Sequence, residues 1–154
     1  MSIFQLALLF MSFAQEGEGP VIAARAPTVA WAALVATREL GPVFENDEDG
    51  FKTGSLLMRM AYLETRGDHT QISSDGLSCV GILQVCALSS ARRAKVRASA
   101  IEGMKAGLEW LHVLKKTCGG PSLRWIGAYA SGKCGGAVFV ARQRCEVLGL
   151  CEER

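Results

Sequence analysis

Glu64 is the residue whose type and position most directly suggest chemistry. It follows a stretch, residues 51–63, in which leucine and methionine recur at helical spacing. The C-terminal end of a helix dipole disfavours negative charge, and apolar neighbours disfavour it further. Both effects favour the protonated carboxyl group, which is the form that a general acid requires. The plainer interpretation of a lone glutamate near a helix end is a surface charge.

Three short stretches, taken in chain order, place Glu64 in a wider pattern. Residues 62–66 read Tyr-Leu-Glu-Thr-Arg, residues 81–84 read Gly-Ile-Leu-Gln, and residues 128–132 read Ala-Tyr-Ala-Ser-Gly. Their order and separation resemble the soluble lytic transglycosylases, relatives of goose-type lysozyme. That family shows Glu-Ser at a helix end, then Gly-Leu-Met-Gln, then Ala-Tyr-Asn-x-Gly. The resemblance covers about residues 51–147 and includes an Ala-Gly-x-x-Trp-Leu stretch that contains Gly107 and Leu111.

The resemblance implies a mainly α, lysozyme-like single domain with a small irregular or hairpin loop region. It implies that Glu64 protonates the oxygen between N-acetylmuramic acid and N-acetylglucosamine in peptidoglycan, then removes the proton of the C6 hydroxyl. The product is a 1,6-anhydro sugar. In that family the acetamido group of the substrate assists, so neither a second carboxylate nor a metal or other cofactor is expected.

The same resemblance assigns three substrate-binding residues. Gln84 would line the subsite that holds the sugar, and Tyr129 would pack beside Glu64 with its hydroxyl close to the acid. Ser73, nine positions after Glu64, occupies the place of a family serine near the catalytic carboxyl. Without the resemblance, Tyr129 would be an ordinary half-buried aromatic residue and Gln84 an amide on a helix surface.

The chain departs from the family pattern at several positions. Thr65 replaces the usual serine and keeps its hydroxyl, whereas Ala130 replaces asparagine and removes a polar group from the cleft. Two extra residues separate Gly76 from Gly81. We expect Cys79 to tie down this enlarged loop, with Cys86 as a candidate partner.

Three other functions remain open. Hydrolysis of the same bond would need a second acid, for which Asp68 and Asp75 are candidates, although aspartate is commoner as a turn residue. The change at Ala130 motivates a non-catalytic wall-binding or assembly module. A DNA-binding domain is suggested by a short basic run, formed by Arg92, Arg93, Lys95 and Arg97.

Hydrophobic periodicity predicts a series of helices that must position these residues. The first has Pro27 in its first turn, ends before Gly41-Pro42 and is apolar nearly all round, so we expect it to be largely buried. A hairpin is expected within residues 70–80, and residues 46–50 are expected to form a solvated acidic turn. The predicted helices are 27–40, 51–63 or 64, 81 to about 93, 98–116, 122–130 and 136–148.

The N-terminal segment predicts export. Residues 3–14 are apolar except for Gln5 and Ser12, too few to span a bilayer but suited to a secretory signal with cleavage after Ala14. A buried or amphipathic helix and an uncleaved anchor are the alternatives. The expected organisation is a signal peptide (1–14), an N-terminal segment with the first helix (15–50), and a catalytic domain (51–154) that packs with residues 27–40.

The cysteines and the net charge indicate which cellular compartment and which kind of partner to expect. The six cysteines form an even set in the second half of the chain, and with no Cys-x-x-Cys pair they favour disulfides over a zinc site, although fifteen pairings are open. The formal net charge of +2 gives no argument for a nucleic-acid partner. The expected partner is the peptidoglycan glycan strand, outside the cytoplasm in the periplasm or extracellular space. Wall remodelling, a secretion or pilus machine, and a phage assembly are all compatible settings.

Overall fold

The chain forms a mainly helical structure in the computed structural model, which describes residues 1–73, 79–86 and 88–152. The mainly α fold class is therefore confirmed. One two-stranded antiparallel sheet accompanies the helices. The helices are α1 (Ile3–Ser12), α2 (Gly19–Leu40), α3 (Phe51–Thr65), α4 (Ser90–Ala98), α5 (Ala100–Cys118), α6 (Ser122–Ser131) and α7 (Val138–Cys145), and the strands are β1 (Cys79–Val80) and β2 (Val85–Cys86).

Two helices organise the packing. α2 packs against α1, α3 and α5, and α5 packs in turn against α4 and α6. α7 lies against α6 and α3, so it brings the C-terminal part of the chain next to the end of α3. A continuous core of apolar side chains joins these elements and includes Leu56, Met104, Leu108 and Ile126, each fully buried.

The first predicted helix begins earlier than expected. Pro27 lies inside α2 instead of in its first turn, and Pro20 occupies the N-terminal position. Pro27 and Ala23 both lie on the exposed face of the helix, so solvent can satisfy the carbonyl group that proline leaves without a hydrogen-bond donor. The expectation that residues 27–40 are largely buried holds for only part of the helix surface, since Val29, Ala33 and Ala36 are buried but Trp31 is about half exposed.

The hairpin lies farther along the chain than predicted. Cys79 pairs with Cys86 and Val80 with Val85, while residues 81–84 form the turn, so no helix begins at Gly81. Gly81 has φ +78°, a backbone conformation that glycine adopts without strain and that helices do not use. The described residues between 70 and 80 include β1 and an antiparallel bridge between Ile72 and Val80.

The acidic loop before α3 is less solvated than predicted. Asp47 is buried, and its carboxylate accepts hydrogen bonds from the main-chain N–H groups of Lys52 and Thr53 and from the Thr53 hydroxyl. These are first-turn donors of α3 that have no partner within the helix. Asp47 therefore caps α3 from the preceding loop.

The remaining predicted helices are found close to their expected places. α3, α5 and α6 match within two or three residues, and Gly119 ends α5. The last one is shorter, because α7 ends at Cys145 and continues as a 3₁₀ turn over Glu146–Leu148.

The N-terminal apolar segment forms α1 and packs onto the domain. Leu6 and Phe10 are fully buried, and the Phe10 ring meets the Tyr62 ring edge-on with centroids 6.3 Å apart. Loss of residues 1–14 would therefore uncover part of α3. Among the described helices, α2 is long and apolar enough to cross a membrane by length and composition, and 44% of its most apolar stretch is buried inside the fold.

All six cysteines are paired in disulfides, as predicted. The pairs are Cys79–Cys86, Cys118–Cys134 and Cys145–Cys151. The first closes the hairpin, the second joins the end of α5 to the loop after α6, and the third fixes the segment that follows α7. Three disulfides and an apolar N-terminal helix are compatible with a secreted protein.

Candidate active site

Glu64 lies in the last turn of α3, next to the residue at which the helix ends. Arg66 adopts a left-handed conformation (φ 54°), and the N–H of Gly67 donates back to Ala61 O at 3.0 Å, which closes the helix. The Glu64 side chain is 24% exposed, so it is accessible from solvent and also contacts the protein interior. This placement is the one predicted from the sequence.

The carboxylate of Glu64 forms an ion pair with Arg144 of α7. Arg144 Nη2 donates to Glu64 Oε1, and the arginine side chain is only 3% exposed. Arg144 Nη1 also lies 3.4 Å from Ile126 O, and the guanidinium carbon lies 5.2 Å from the centroid of the Tyr129 ring. Glu64 therefore faces a buried cation on its protein side.

The hairpin turn is pressed against α5 at two glycines. A Cβ at Gly107 would overlap the Leu83 side chain, and one at Gly103 would lie 2.9 Å from Ile82 Cγ2. Thr65, beside Glu64, donates its hydroxyl proton to Ile82 O at 3.0 Å. Because Gly103 and Gly107 have no side chains, the turn can approach α5 closely, and the hydrogen bond from Thr65 holds it near the end of α3.

This turn presents Gln84 to the site. Gln84 has φ 49°, and its amide nitrogen donates to Gln71 O at 3.2 Å and to Gly81 O at 3.0 Å. These two bonds occupy the amide hydrogens, so the side-chain oxygen is the atom of Gln84 that can accept a donor from a ligand. Gln84 is therefore a turn residue, and the alternative of an amide on a helix surface is wrong.

Tyr129 of α6 packs between the hairpin and Arg144. Its hydroxyl donates to Leu83 O at 3.0 Å. Burial raises the pKa of the Tyr129 phenol; the Arg144 charge opposes this rise and the Glu64 charge adds to it. Tyr129 therefore stays protonated. The partner of its hydroxyl is the hairpin backbone, whereas the sequence prediction placed the hydroxyl close to the acid.

Ser73 lies at the edge of the same region. Its main-chain N–H donates to Cys79 O at 2.9 Å, and its hydroxyl accepts from Cys79 N at 3.1 Å. These bonds fix Ser73 against β1, just before residues 74–78, which lie outside the described residues.

The four residues singled out from the sequence line one cavity of about 560 Å³. Glu64, Ser73, Gln84 and Tyr129 come from α3, the segment before the hairpin, the hairpin turn and α6. Arg144 also lines this cavity. Elements that are distant in sequence thus converge on one half-open pocket with a mixed polar and apolar lining, which we call the acid pocket.

A second cavity continues from the acid pocket. It has a volume of about 380 Å³ and shares Gln84, Cys86, Tyr129 and Ala130 with the acid pocket. Its other lining is mostly apolar and includes Leu88, Val113 and the 41%-exposed indole of Trp110. We call this extension the apolar arm. Arg92 and Glu109 form an ion pair that also lines it.

Of the two candidate second acids, only Asp68 lies within the described residues. Asp68 accepts from the N–H and hydroxyl of Thr70 and forms a 3.1 Å ion pair with Arg25. The Thr70 hydroxyl lowers the pKa of Asp68, which acts as a turn residue and does not line the acid pocket. Asp75 lies outside the described residues. Among the described residues lining the acid pocket, Glu64 is the only carboxylate.

No cluster of three or more potential metal ligands occurs within the described ranges 1–73, 79–86 and 88–152. The polar groups of the acid pocket are a carboxylate, a guanidinium, an amide and hydroxyls. This set can move a proton and bind hydroxyl and acetamido groups.

Arg144 was not identified from the sequence. Ala141, Arg144 and Cys145 are the buried residues of α7. A cation at helical spacing between apolar residues is unusual in a core and needs a partner. This was the available signal, but the partner, 80 residues earlier in the chain, could not be read from spacing.

Comparison of the chain with protein-family models, with curated proteins and with solved structures finds no significant match. The resemblance to lytic transglycosylases therefore rests on the motifs quoted above.

Proposed function

We propose that this protein is a peptidoglycan lytic transglycosylase of lysozyme-like fold. It cleaves the β-1,4 bond between N-acetylmuramic acid and N-acetylglucosamine and forms a 1,6-anhydromuramic end. The observation that carries the proposal is the convergence of Glu64, Ser73, Gln84 and Tyr129 on one pocket. The four residues come from separate segments of the chain, and random surface residues from four segments would not be expected to share a cavity.

Glu64 is the acid and base of this reaction. Its proton passes to the glycosidic oxygen while the bond from that oxygen to C1 breaks and the electron pair stays on the leaving sugar. The resulting carboxylate then accepts the proton of the C6 hydroxyl as O6 bonds to C1. No water enters the product, so one carboxylate is sufficient, in agreement with the described lining of the acid pocket.

The apolar arm gives the glycan strand a path away from Glu64. Trp110 offers an aromatic face to the apolar face of a sugar ring, and the small Ala130 keeps the junction of the two cavities open. Gln84 stands at this junction, where its side-chain oxygen can accept an N–H of an acetamido group. We place the bond that is cleaved beside Glu64 and the neighbouring sugar over Gln84.

A non-catalytic wall-binding module is the second candidate, and one observation favours it. The ion pair with Arg144 requires Glu64 to be ionised, whereas a general acid must hold a proton. A binding module would use the same pocket and arm without any proton transfer. The catalytic proposal therefore requires that Glu64 can take up a proton beside Arg144.

We also propose that the protein works outside the cytoplasm, in the periplasm or the extracellular space. The three disulfides and the apolar N-terminal helix agree with export, and the substrate lies there. Remodelling of the wall by its own cell, opening of the wall for a secretion or pilus assembly, and phage entry would all use this reaction.

Digestion of purified sacculi by the wild-type protein and by Glu64→Gln tests the proposal. The glutamine keeps the size of the side chain but has no acidic proton to transfer to the glycosidic oxygen. We expect muropeptides with anhydromuramic ends from the wild-type protein only. Absence of release by a folded wild-type protein that pulls down with sacculi would overturn the enzyme proposal in favour of the binding module.

A further inference from the structure

We propose that Arg144 is a positioning residue for Glu64: it holds one oxygen of the carboxyl group and leaves the other to exchange the proton with the glycan. This inference rests on the proposed function. It assigns a catalytic purpose to the one charged residue in the described lining of the acid pocket that the sequence motifs did not include.

The geometry around Arg144 fixes its direction. Nη2 is bound to Glu64 Oε1 and Nη1 lies near Ile126 O, while the Tyr129 ring lies alongside the guanidinium group. Cys145, the next residue, is fully buried and bonded to Cys151, which anchors the C-terminal end of α7. The guanidinium group is therefore held by its surroundings and cannot follow a moving carboxylate far.

Packing alone does not explain this arginine. Its side chain is only 3% exposed, and its Nε has no hydrogen-bond partner within the described structure. Burial of a charge with an unsatisfied N–H costs free energy, and apolar residues of similar volume often stabilise such positions better than an ion pair. A methionine could fill the same volume and serve stability as well, but it could not place a positive charge beside Glu64.

The chemistry makes use of that charge at both steps. When Glu64 Oε2 gives its proton to the glycosidic oxygen, the new carboxylate charge forms beside a cation that is already in place. When the same oxygen takes the proton of the C6 hydroxyl, Oε1 remains bound to Arg144 and the carboxyl group does not rotate. Within the described part of the chain, Arg144 of α7 and Tyr129 of α6 are charged or titratable groups that interact with Glu64.

Kinetics of Arg144→Met and Arg144→Lys test the inference, with release of muropeptides from soluble glycan strands as the assay. We expect kcat of Arg144→Met to fall about 10- to 100-fold with KM little changed, because the carboxyl group loses its fixed orientation. Arg144→Lys keeps the charge but loses the planar guanidinium group, so its kcat should lie between those of the wild-type protein and Arg144→Met.

Arg142→Met is the matched control, since Arg142 is an exposed arginine on the same helix. Wild-type kcat in Arg144→Met would overturn the inference and leave the proposed function intact. Absence of release by the wild-type protein would overturn both. If circular dichroism shows Arg144→Met to be unfolded, Arg144→Lys decides: about tenfold lower kcat at unchanged KM supports the inference, and wild-type values overturn it.

Discussion

The hydroxyl of Tyr129 donates a 3.0 Å hydrogen bond to the main-chain oxygen of Leu83. This bond joins α6 to the hairpin turn, one residue before Gln84. The same turn is held from a second side by the close approach of Leu83 to Gly107 and from a third by Thr65. Gln84 and Glu64 are therefore connected through the protein as well as through the pocket. Changes to the hairpin should reduce activity more than they reduce the stability of the fold.

The hairpin disulfide tests this connection. Replacement of both Cys79 and Cys86 by alanine should cost about 2 kcal/mol of stability, since the pair closes a loop with a sequence separation of only 7. It should nevertheless reduce cleavage strongly, because it frees the turn that carries Gln84. Loss of Cys118–Cys134, with a separation of 16, should cost about 3 kcal/mol but leave kcat close to wild type.

Urea unfolding and muropeptide release measured on the two double variants check this prediction. Equal loss of activity in both, or a larger loss in the Cys118–Cys134 variant, would contradict the proposed importance of the hairpin.

Trp110 tests the apolar arm. Removal of the indole in Trp110→Ala should weaken binding of soluble glycan strands about tenfold, because a sugar ring loses its aromatic contact. Glu64 and its partners are unaffected, so the effect should appear in KM more than in kcat. Trp31→Ala is the matched control, since Trp31 is 48% exposed on α2 and lines neither cavity. Equal affinities of the two variants would exclude the arm as a glycan site.

The helices of the site were predictable from the sequence, whereas the contacts between them were not. α3 and α5 follow a clear apolar periodicity, so Glu64 was placed correctly at a helix end. The hairpin has two residues per strand and depends on the fit of Leu83 against Gly107, a contact between distant segments that no local pattern reveals. Arg144 was missed for the same reason, because its partner is supplied by packing of α7 on α3.

Glu18 should make stability depend on pH in the acid range. It accepts hydrogen bonds from Arg66 and from the Tyr62 hydroxyl, each 2.7 Å long, and chiefly the bond from Arg66 lowers the pKa of Glu18 from its ordinary 4.5 to about 2. A carboxyl group whose pKa is lower in the folded chain stabilises the fold above its unfolded value, and this contribution disappears as pH falls.

Glu18→Gln should therefore lower the melting temperature at neutral pH, and its difference from wild type should shrink between pH 4.5 and about 2. Melting curves over this range measure the effect. Glu16→Gln, at an exposed carboxylate in the same segment, is the control. A difference for Glu18→Gln that stays constant with pH would contradict the assignment.

Asp47 should be the acidic residue on which folding depends most among residues 45–49. Asp47→Ala removes the acceptor for two main-chain N–H groups of α3 and the Thr53 hydroxyl, and we expect a loss of about 2 kcal/mol in unfolding free energy. The exposed neighbour gives the control, because Glu48→Ala should change stability little. Similar urea midpoints for both variants would show that the buried cap is not needed.

The origin of the oxygen at the cleaved bond tests the central claim most directly. Glycan strands are digested by the wild-type protein in water enriched in oxygen-18, and the new muramic ends are weighed by mass spectrometry. Transfer of O6 to C1 predicts ends that are lighter than reducing ends by one water and carry no label, with no such ends from Glu64→Gln. Labelled reducing ends from the wild-type protein would contradict the account, because they would show that water, not the C6 hydroxyl, attacks the sugar.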